Sequence, residues 1–151
     1  MECTIKDAGR RAVFAGNLTE LAVLMPLLPQ LAAGEVTFDL AGITRINSIG
    51  VRTWVDFIRA ATAHHIVRLE RCSVPFVLQM NMVGGFLGTA QVVSYYVPYV
   101  CDACGAMADE LVLADDPRPD PQRSRPCADC GGNVEADYLP SEYFVFLERP
   151  G

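Results

Sequence analysis

The sequence lacks any stretch of about 20 apolar residues free of charges and prolines, which is the length that a membrane-spanning helix needs. Its first residues, MECTIKDAGRRAVF, also lack the apolar core of a secretory signal peptide. We therefore expect a cytoplasmic protein of 151 residues without direct membrane insertion.

The signatures of catalysis are missing as well. Gly84 and Gly85 lack the spacing of a phosphate-binding loop, and no acid–base or nucleophile–base pair stands out. His64 and His65 are adjacent at a predicted helix end, where they are expected to be exposed. We therefore expect no catalytic residues and a protein that is not an enzyme.

Positive charge is scarce in the C-terminal third of the chain. Residues 1–98 have eight Lys/Arg and seven Asp/Glu, a net charge of +1, whereas residues 99–151 have four Arg and eleven Asp/Glu, a net charge of −7. Proteins bind nucleic acid largely by neutralising phosphates with positive side chains. The acidic segment therefore predicts no nucleic-acid partner.

Strand and helix patterns alternate over residues 1–98. A β-hairpin is predicted over 3–16, followed by a short helix in which Asn17 and Glu20 form a capping box. Further along, the patterns predict a strand, an amphipathic helix, a strand, a second helix and a strand, over 36–42, 50–65, 66–72, 73–87 and 90–100. The alternation predicts an α/β fold, a mixed β-sheet with α-helices packed on it. Short strands, cysteines and prolines follow, so we predict one domain over 1–98 and a small β module over 99–151.

Four of the six cysteines form two C-x-x-C pairs, CDACG at 101–105 and CADCGG at 127–132. The glycine after each pair permits a sharp turn that points both sulfurs at one ion, and four thiolates make the closed tetrahedral site that structural zinc prefers. We predict that one structural zinc ion is bound in a zinc ribbon by Cys101, Cys104, Cys127 and Cys130. An iron–sulfur cluster, which also accepts four cysteines, is the alternative. Cys3 and Cys72 are expected to be small buried residues.

The segment VTFDLAGITRINSIGVRTWVDF (36–57) resembles the signature of STAS domains. This family includes bacterial anti-sigma-factor antagonists and a component of a lipid-transport ABC complex. The family opens a helix with Asp-Ser-Ser-Gly, and this chain has Asn47, Ser48, Ile49 and Gly50. FAGNLTE (14–20) resembles the family's Gly-Glu-Leu-Asp turn, and VRLERCSVPFVLQMNMVGGF (67–86) resembles its strand, Ser-Pro turn and third helix. The resemblance covers residues 3–98 and implies a STAS-like fold.

The resemblance also implies a function. In the antagonist branch a partner kinase phosphorylates the motif serine, so Ser48 is the candidate phosphoacceptor and a serine-kinase-type anti-sigma factor is the candidate partner. Phosphate would oppose docking because it adds close to two negative charges at a helix N-terminus. The implied contact surface is Asn47, Ser48, Ile49, Gly50 and Arg52. The alternative is that Ser48 is only a helix cap or a loop hydroxyl.

The predicted helix 73–87 is apolar on two faces, so it either lies deep or offers one face to a partner. Phe76 and Met80 mark the candidate docking face, and burial of this helix under the zinc ribbon is the alternative. A docking face here would suit a constitutive scaffold, or an accessory subunit of a lipid-transport ABC complex, without a phosphoswitch. A homodimer is also left open.

Overall fold

A mostly parallel β-sheet forms the first part of the molecule. The computed structural model describes residues 1–148, and in them this sheet has five strands in the order β1-β2-β3-β4-β5. Only the β1–β2 pair is antiparallel. The strands are β1 (Glu2–Lys6), β2 (Arg11–Leu18), β3 (Gly34–Ile46), β4 (His65–Glu70) and β5 (Gln91–Val92). This confirms a mixed sheet in an α/β protein.

Two helices, α1 (Ser48–His64) and α2 (Val74–Met82), pack onto this sheet. The apolar stripe of α1 buries Trp54, whose ring lies 5.7 Å from Phe14 of β2 and 5.1 Å from Phe76 of α2. The indole N–H of Trp54 donates a 2.9 Å hydrogen bond to the carbonyl oxygen of Phe86. One aromatic cluster therefore joins the sheet to both helices.

A second, antiparallel sheet follows in the described residues, with four strands in the order β7-β6-β9-β8. The sequence predicted a single strand over 90–100 in the first sheet. Instead this range contains two strands, Gln91–Val92 in the first sheet and Ser94–Cys101 in the second. The remaining elements are β6 (Ser94–Cys101), β7 (Met107–Leu113), β8 (Arg125–Pro126), β9 (Asn133–Ala136) and the short helices α3 (Pro140–Tyr143) and α4 (Val145–Glu148).

The prediction of a helix beginning at Asn17 is wrong. Strand β2 continues through Leu18, which pairs with Ile46 of β3, and the chain then forms a turn and a 3₁₀ helix over Met25–Gln30. Pro29 lies inside this segment and has no N–H to donate, which prevents a regular α-helix. As a consequence, Leu21 and Val23 are exposed.

Helix α2 differs from the prediction that Phe76 and Met80 form a docking face. Both side chains are buried in the core of the chain itself, so they do not form a docking face. The exposed apolar residues of the helix are Leu78 and Met82. The helix also ends at Met82, before Gly85 adopts a positive φ of 80°, and so it is shorter than predicted.

Asn81 attaches the C-terminal helices to α2, which packs on the first sheet. Its Nδ2 donates to the carbonyl oxygen of Tyr143 at 2.8 Å, and its Oδ1 accepts from the N–H of Phe146 at 2.9 Å. The Tyr143 hydroxyl donates to the Tyr96 carbonyl oxygen at 2.7 Å, which ties the same segment to β6. The C-terminal segment therefore packs on both parts of the molecule.

We expect Gly50→Ala to destabilise the protein by about 1–3 kcal/mol, because the added Cβ would overlap the Leu18 carbonyl oxygen. In an open helix position the same change usually stabilises by about 1 kcal/mol, so the sign is diagnostic. The control is Gly84→Ala, where a Cβ meets no atom within 4 Å of the described residues. Urea unfolding measures both, and equal stability of the two variants would contradict the expected close approach.

We expect Asn81→Ala to lower the free energy of unfolding by about 2 kcal/mol, since two backbone groups lose their partner. The control is Gln79→Ala on the same helix, with an expected change within about 0.5 kcal/mol. Hydrogen exchange at Phe146 should quicken only in the Asn81 variant. Unchanged exchange there would show that the C-terminal helices are held by other contacts.

Candidate functional site

The first C-x-x-C pair lies in the turn between β6 and β7. Cys101 ends β6, and its N–H donates to the carbonyl oxygen of Ala106 at 2.9 Å. The N–H of Gly105 donates back to the Cys101 carbonyl oxygen at 3.0 Å, and Gly105 has a φ of 74° that favours glycine. The turn therefore brings Cys104 back towards Cys101.

The second pair repeats this arrangement between β8 and β9. The Cys127 N–H donates to the Gly132 carbonyl oxygen at 2.7 Å, and the Gly131 N–H donates to the Cys127 carbonyl oxygen at 2.9 Å. The two turns are joined by hydrogen bonds between Asp102 and Asn133. The Asp102 N–H donates to the Asn133 carbonyl oxygen at 2.9 Å, and the Asn133 N–H donates to Asp102 Oδ1 at 3.1 Å.

The four sulfur atoms converge on one point. All lie within 4.8 Å of one another, and the Cys101–Cys130 and Cys104–Cys127 sulfurs are 3.5 and 3.7 Å apart. In a tetrahedron with metal–sulfur bonds of about 2.3 Å, the sulfurs lie about 3.8 Å apart. None of the four cysteines is in a disulfide. Their sulfurs are therefore available as ligands, and they lie close enough together to hold a metal ion.

Backbone N–H groups surround these sulfurs. The N–H groups of Cys104 and Ala103 lower the pKa of Cys101 to about 7 because they favour the thiolate. The Ala106 N–H also lowers the pKa of Cys104, but contacts with the Cys130 and Cys101 sulfurs outweigh it and raise that pKa to about 12. The Cys104 thiol therefore keeps its proton more readily than Cys101 does, and a bound cation would favour the thiolate form.

Sequence reasoning missed Gly132. A Cβ at this position would lie 2.8 Å from Ala103 Cβ, 3.1 Å from Cys101 Sγ and 3.2 Å from Cys130 Sγ. The Gly132 N–H also donates to Cys130 Sγ at 3.3 Å. The doubled glycine of CADCGG was the available signal, because its second glycine lets the two turns approach each other.

The second candidate site is the loop at the start of α1. Asn47 is the N-cap, since its Oδ1 accepts from the Gly50 N–H at 2.8 Å. Its Nδ2 donates to Glu20 Oε2 at 2.8 Å, and the backbone N–H of Glu20 together with this amide lowers the pKa of the Glu20 carboxyl group. Ser48 is the first helical residue, so Asn47 and not Ser48 is the helix cap.

The structure brings most of the predicted contact residues to the surface. Asn47, Ser48, Ile49 and Arg52 are exposed. Gly50 is buried, so it positions the loop and does not touch a partner. The Asn47–Glu20 hydrogen bond joins the segment after β2 to this loop, and that segment has exposed apolar side chains that the sequence did not predict. The "Ser48 surface" is defined as Ser48 with Leu21, Val23, Met25 and Ile49, which are 81%, 73%, 50% and 54% exposed.

A cluster of charged side chains surrounds the buried Asp39 on the first sheet. Asp39 of β3 is 5% exposed, and its carboxylate accepts from Arg11 Nη2 at 2.9 Å, from Arg71 Nε at 3.2 Å and from the Ala41 N–H at 3.1 Å. Arg11 also pairs with Glu70. Because every charge in the cluster has a partner, it serves as a link between β2, β3 and β4.

Comparison with protein-family models, with curated proteins and with solved structures found no match. In residues 1–148, no helix has the length and apolar character that crossing a membrane requires.

We expect the purified protein to bind one metal ion per chain, and Cys104→Ser to lose it. Removal of the ion by a chelator should lower the thermal midpoint, because the free energy of metal binding stabilises the folded state only. The control is Cys3→Ser, which lies outside the cluster. Elemental analysis and a melting curve provide the measurement, and full metal retention by Cys104→Ser would contradict the four-sulfur site.

Proposed function

We propose that this protein is a non-enzymatic regulatory module that binds a partner protein on the Ser48 surface. The observation that carries this proposal is that Ile49 and Leu21 are exposed at two segments that the Asn47–Glu20 hydrogen bond joins. Exposed apolar side chains grouped on one region of a monomer are a common sign of a protein interface. Ile49 directly follows Ser48 in the chain.

The position of Ser48 suits a phosphoswitch. It occupies the first turn of α1, where the helix dipole favours negative charge. Arg52 lies four residues along the helix and can pair with a phosphate on Ser48. The fold would therefore tolerate the phosphate, while the new charge next to Ile49 would oppose apolar docking.

The contacts of Asn47 explain why an asparagine suits this position, where the STAS motif has an aspartate. With the family's aspartate at this position, a second carboxylate would face Glu20, and like charges at hydrogen-bond distance repel. The amide can cap the helix through Oδ1 and bind Glu20 through Nδ2. The loop geometry is therefore kept without the aspartate, which supports a recognition role resembling that of anti-sigma-factor antagonists.

We further propose that the metal is one structural zinc ion in a zinc ribbon. Both cysteine turns connect antiparallel strands of one sheet, and four thiolates leave no open coordination position for a substrate. An iron–sulfur cluster spreads its cysteines over several irons, and the short sulfur–sulfur distances favour a single ion instead. Iron in place of zinc in the elemental analysis would refute this assignment.

The partner test mixes the purified chain with a serine-kinase-type anti-sigma factor and ATP. We expect the wild-type chain to bind it and gain one phosphate, and Ser48→Ala to gain none by mass spectrometry. Ile49→Asp should weaken binding by about tenfold or more, because it places a charge in the apolar contact. The matched control is Ile66→Asp, since Ile66 of β4 is similarly exposed but lies outside the Ser48 surface.

The outcomes separate the hypotheses. Binding that depends on Ile49 without any phosphate on Ser48 would support a constitutive scaffold, such as an accessory subunit of a lipid-transport ABC complex. Equal binding by the Ile49→Asp and Ile66→Asp variants would refute the Ser48 surface as the contact.

A further inference from the structure

A separate apolar groove lies between α2, β7 and the segment that leads into α3. Its volume is about 780 Å³. We define the "α2 groove" by its exposed apolar side chains, Leu78, Met82, Met107 and Leu139, which are 46%, 69%, 72% and 62% exposed. None of these residues belongs to the Ser48 surface. The two methionines suit a contact that adapts to its ligand.

The polar lining of the α2 groove is acidic. Asp109, Asp137 and Glu142 line it, and no Lys or Arg is among its described lining residues. Nearby arginines are engaged elsewhere: Arg123 and Arg125 pair with Glu110, and Arg118 pairs with Glu148. Three carboxylates therefore face the groove without a cation from residues 1–148.

A smaller pocket of about 260 Å³ continues the groove and shares Val74, Pro75 and Asp109 with it. Ser73, only 7% exposed, also lines this pocket, and its hydroxyl oxygen has no hydrogen-bond partner among the described residues. A buried hydroxyl usually has a hydrogen-bond partner, and the described residues supply none to this one. The pocket thus combines a carboxylate and an unused hydroxyl.

We propose that the α2 groove binds a basic, apolar segment of a partner protein, with apolar side chains along the groove and a lysine or arginine in the pocket beside Asp109 and Ser73. This site goes beyond the Ser48 surface, because it uses other residues and another chemistry.

The negative charge of the α2 groove disfavours three other ligands: a second copy of the chain, an anionic membrane and a nucleic acid. A second copy of the chain in a symmetric dimer would place two sets of the same three carboxylates together. Anionic membranes and nucleic acids carry the same sign of charge as the groove and would be repelled. A basic protein segment is complementary both to the carboxylates and to the apolar floor.

The test uses the full, metal-loaded chain and a fluorescein-labelled helical peptide that repeats Leu-Lys-Lys-Leu. We expect saturable binding by fluorescence anisotropy, and none for the matched peptide with glutamate in place of lysine. Met82→Glu in the groove should reduce affinity by about tenfold or more. Ile66→Glu, on β4, is the matched control and should not change it.

The electrostatic part is tested by a matched pair of double variants. Asp137→Asn with Glu142→Gln should weaken binding by about tenfold and reduce its salt dependence. Asp115→Asn with Asp116→Asn removes two exposed charges outside the groove and should leave the affinity unchanged. Ser73→Ala should weaken binding of the lysine peptide while the metal content stays that of the wild type.

Equal losses in the two double variants would overturn the proposal, since they would show general attraction to an acidic protein. A dimer in sedimentation that Met82→Glu converts to monomer would also overturn it in favour of a second copy. Groove-dependent binding to phosphatidylserine vesicles would overturn it in favour of a membrane. None of these results depends on Ser48 or Ile49, so they stand apart from the partner test of the Ser48 surface.

Discussion

Both parts of the molecule depend on the burial of one strand, β6. Tyr95, Val97 and Tyr99 of this strand are fully buried. At its start, the Cys72 N–H donates to the Ser94 carbonyl oxygen at 3.1 Å and the Tyr96 N–H donates to the Cys72 carbonyl oxygen at 2.9 Å, which joins β6 to the end of β4. At its other end, Cys101 is the first residue of the cysteine cluster. A metal ion at that cluster would therefore hold the last residue of a strand whose first residues are joined to the end of β4.

The sequence predicts the local features of this fold well, but it does not predict which face of an apolar helix is buried. The α1 stripe, the hairpin at the start of the chain and the strand over 36–42 all follow from periodicity and turn residues, which are local. Helix α2 shows the limit: both of its faces are apolar, and the buried one is selected by Trp54 and by the C-terminal segment, which are remote in sequence. The predicted capping box at Asn17 failed for a similar reason, because pairing of Leu18 with β3 takes precedence over a weak helix signal.

The candidate sites differ in the same way. The cysteine cluster could be predicted because C-x-x-C spacing sets the geometry of each turn, although the role of Gly132 depends on the approach of the two turns and was missed. Only part of the Ser48 surface could be predicted. The loop that contains Ser48 and Ile49 follows from local sequence, whereas Leu21, Val23 and Met25 belong to the segment after β2, which the Asn47–Glu20 hydrogen bond joins to the loop. The α2 groove draws on α2, β7 and the α3 region, and no local pattern brings these together.

The Ser48 surface and the α2 groove share one core. Helix α1 begins at Ser48, and its Trp54 packs against Phe76 of α2 at 5.1 Å. Coupling between two sites needs an element with two arrangements of similar free energy. Here Trp54, Phe76 and Phe86 are almost completely buried, and the Trp54 N–H is fixed on the Phe86 carbonyl oxygen at 2.9 Å, so a second arrangement would break that hydrogen bond and open the core. Shared packing in this protein therefore gives rigidity, and a phosphate at Ser48 would act on its own surface while the groove keeps its shape.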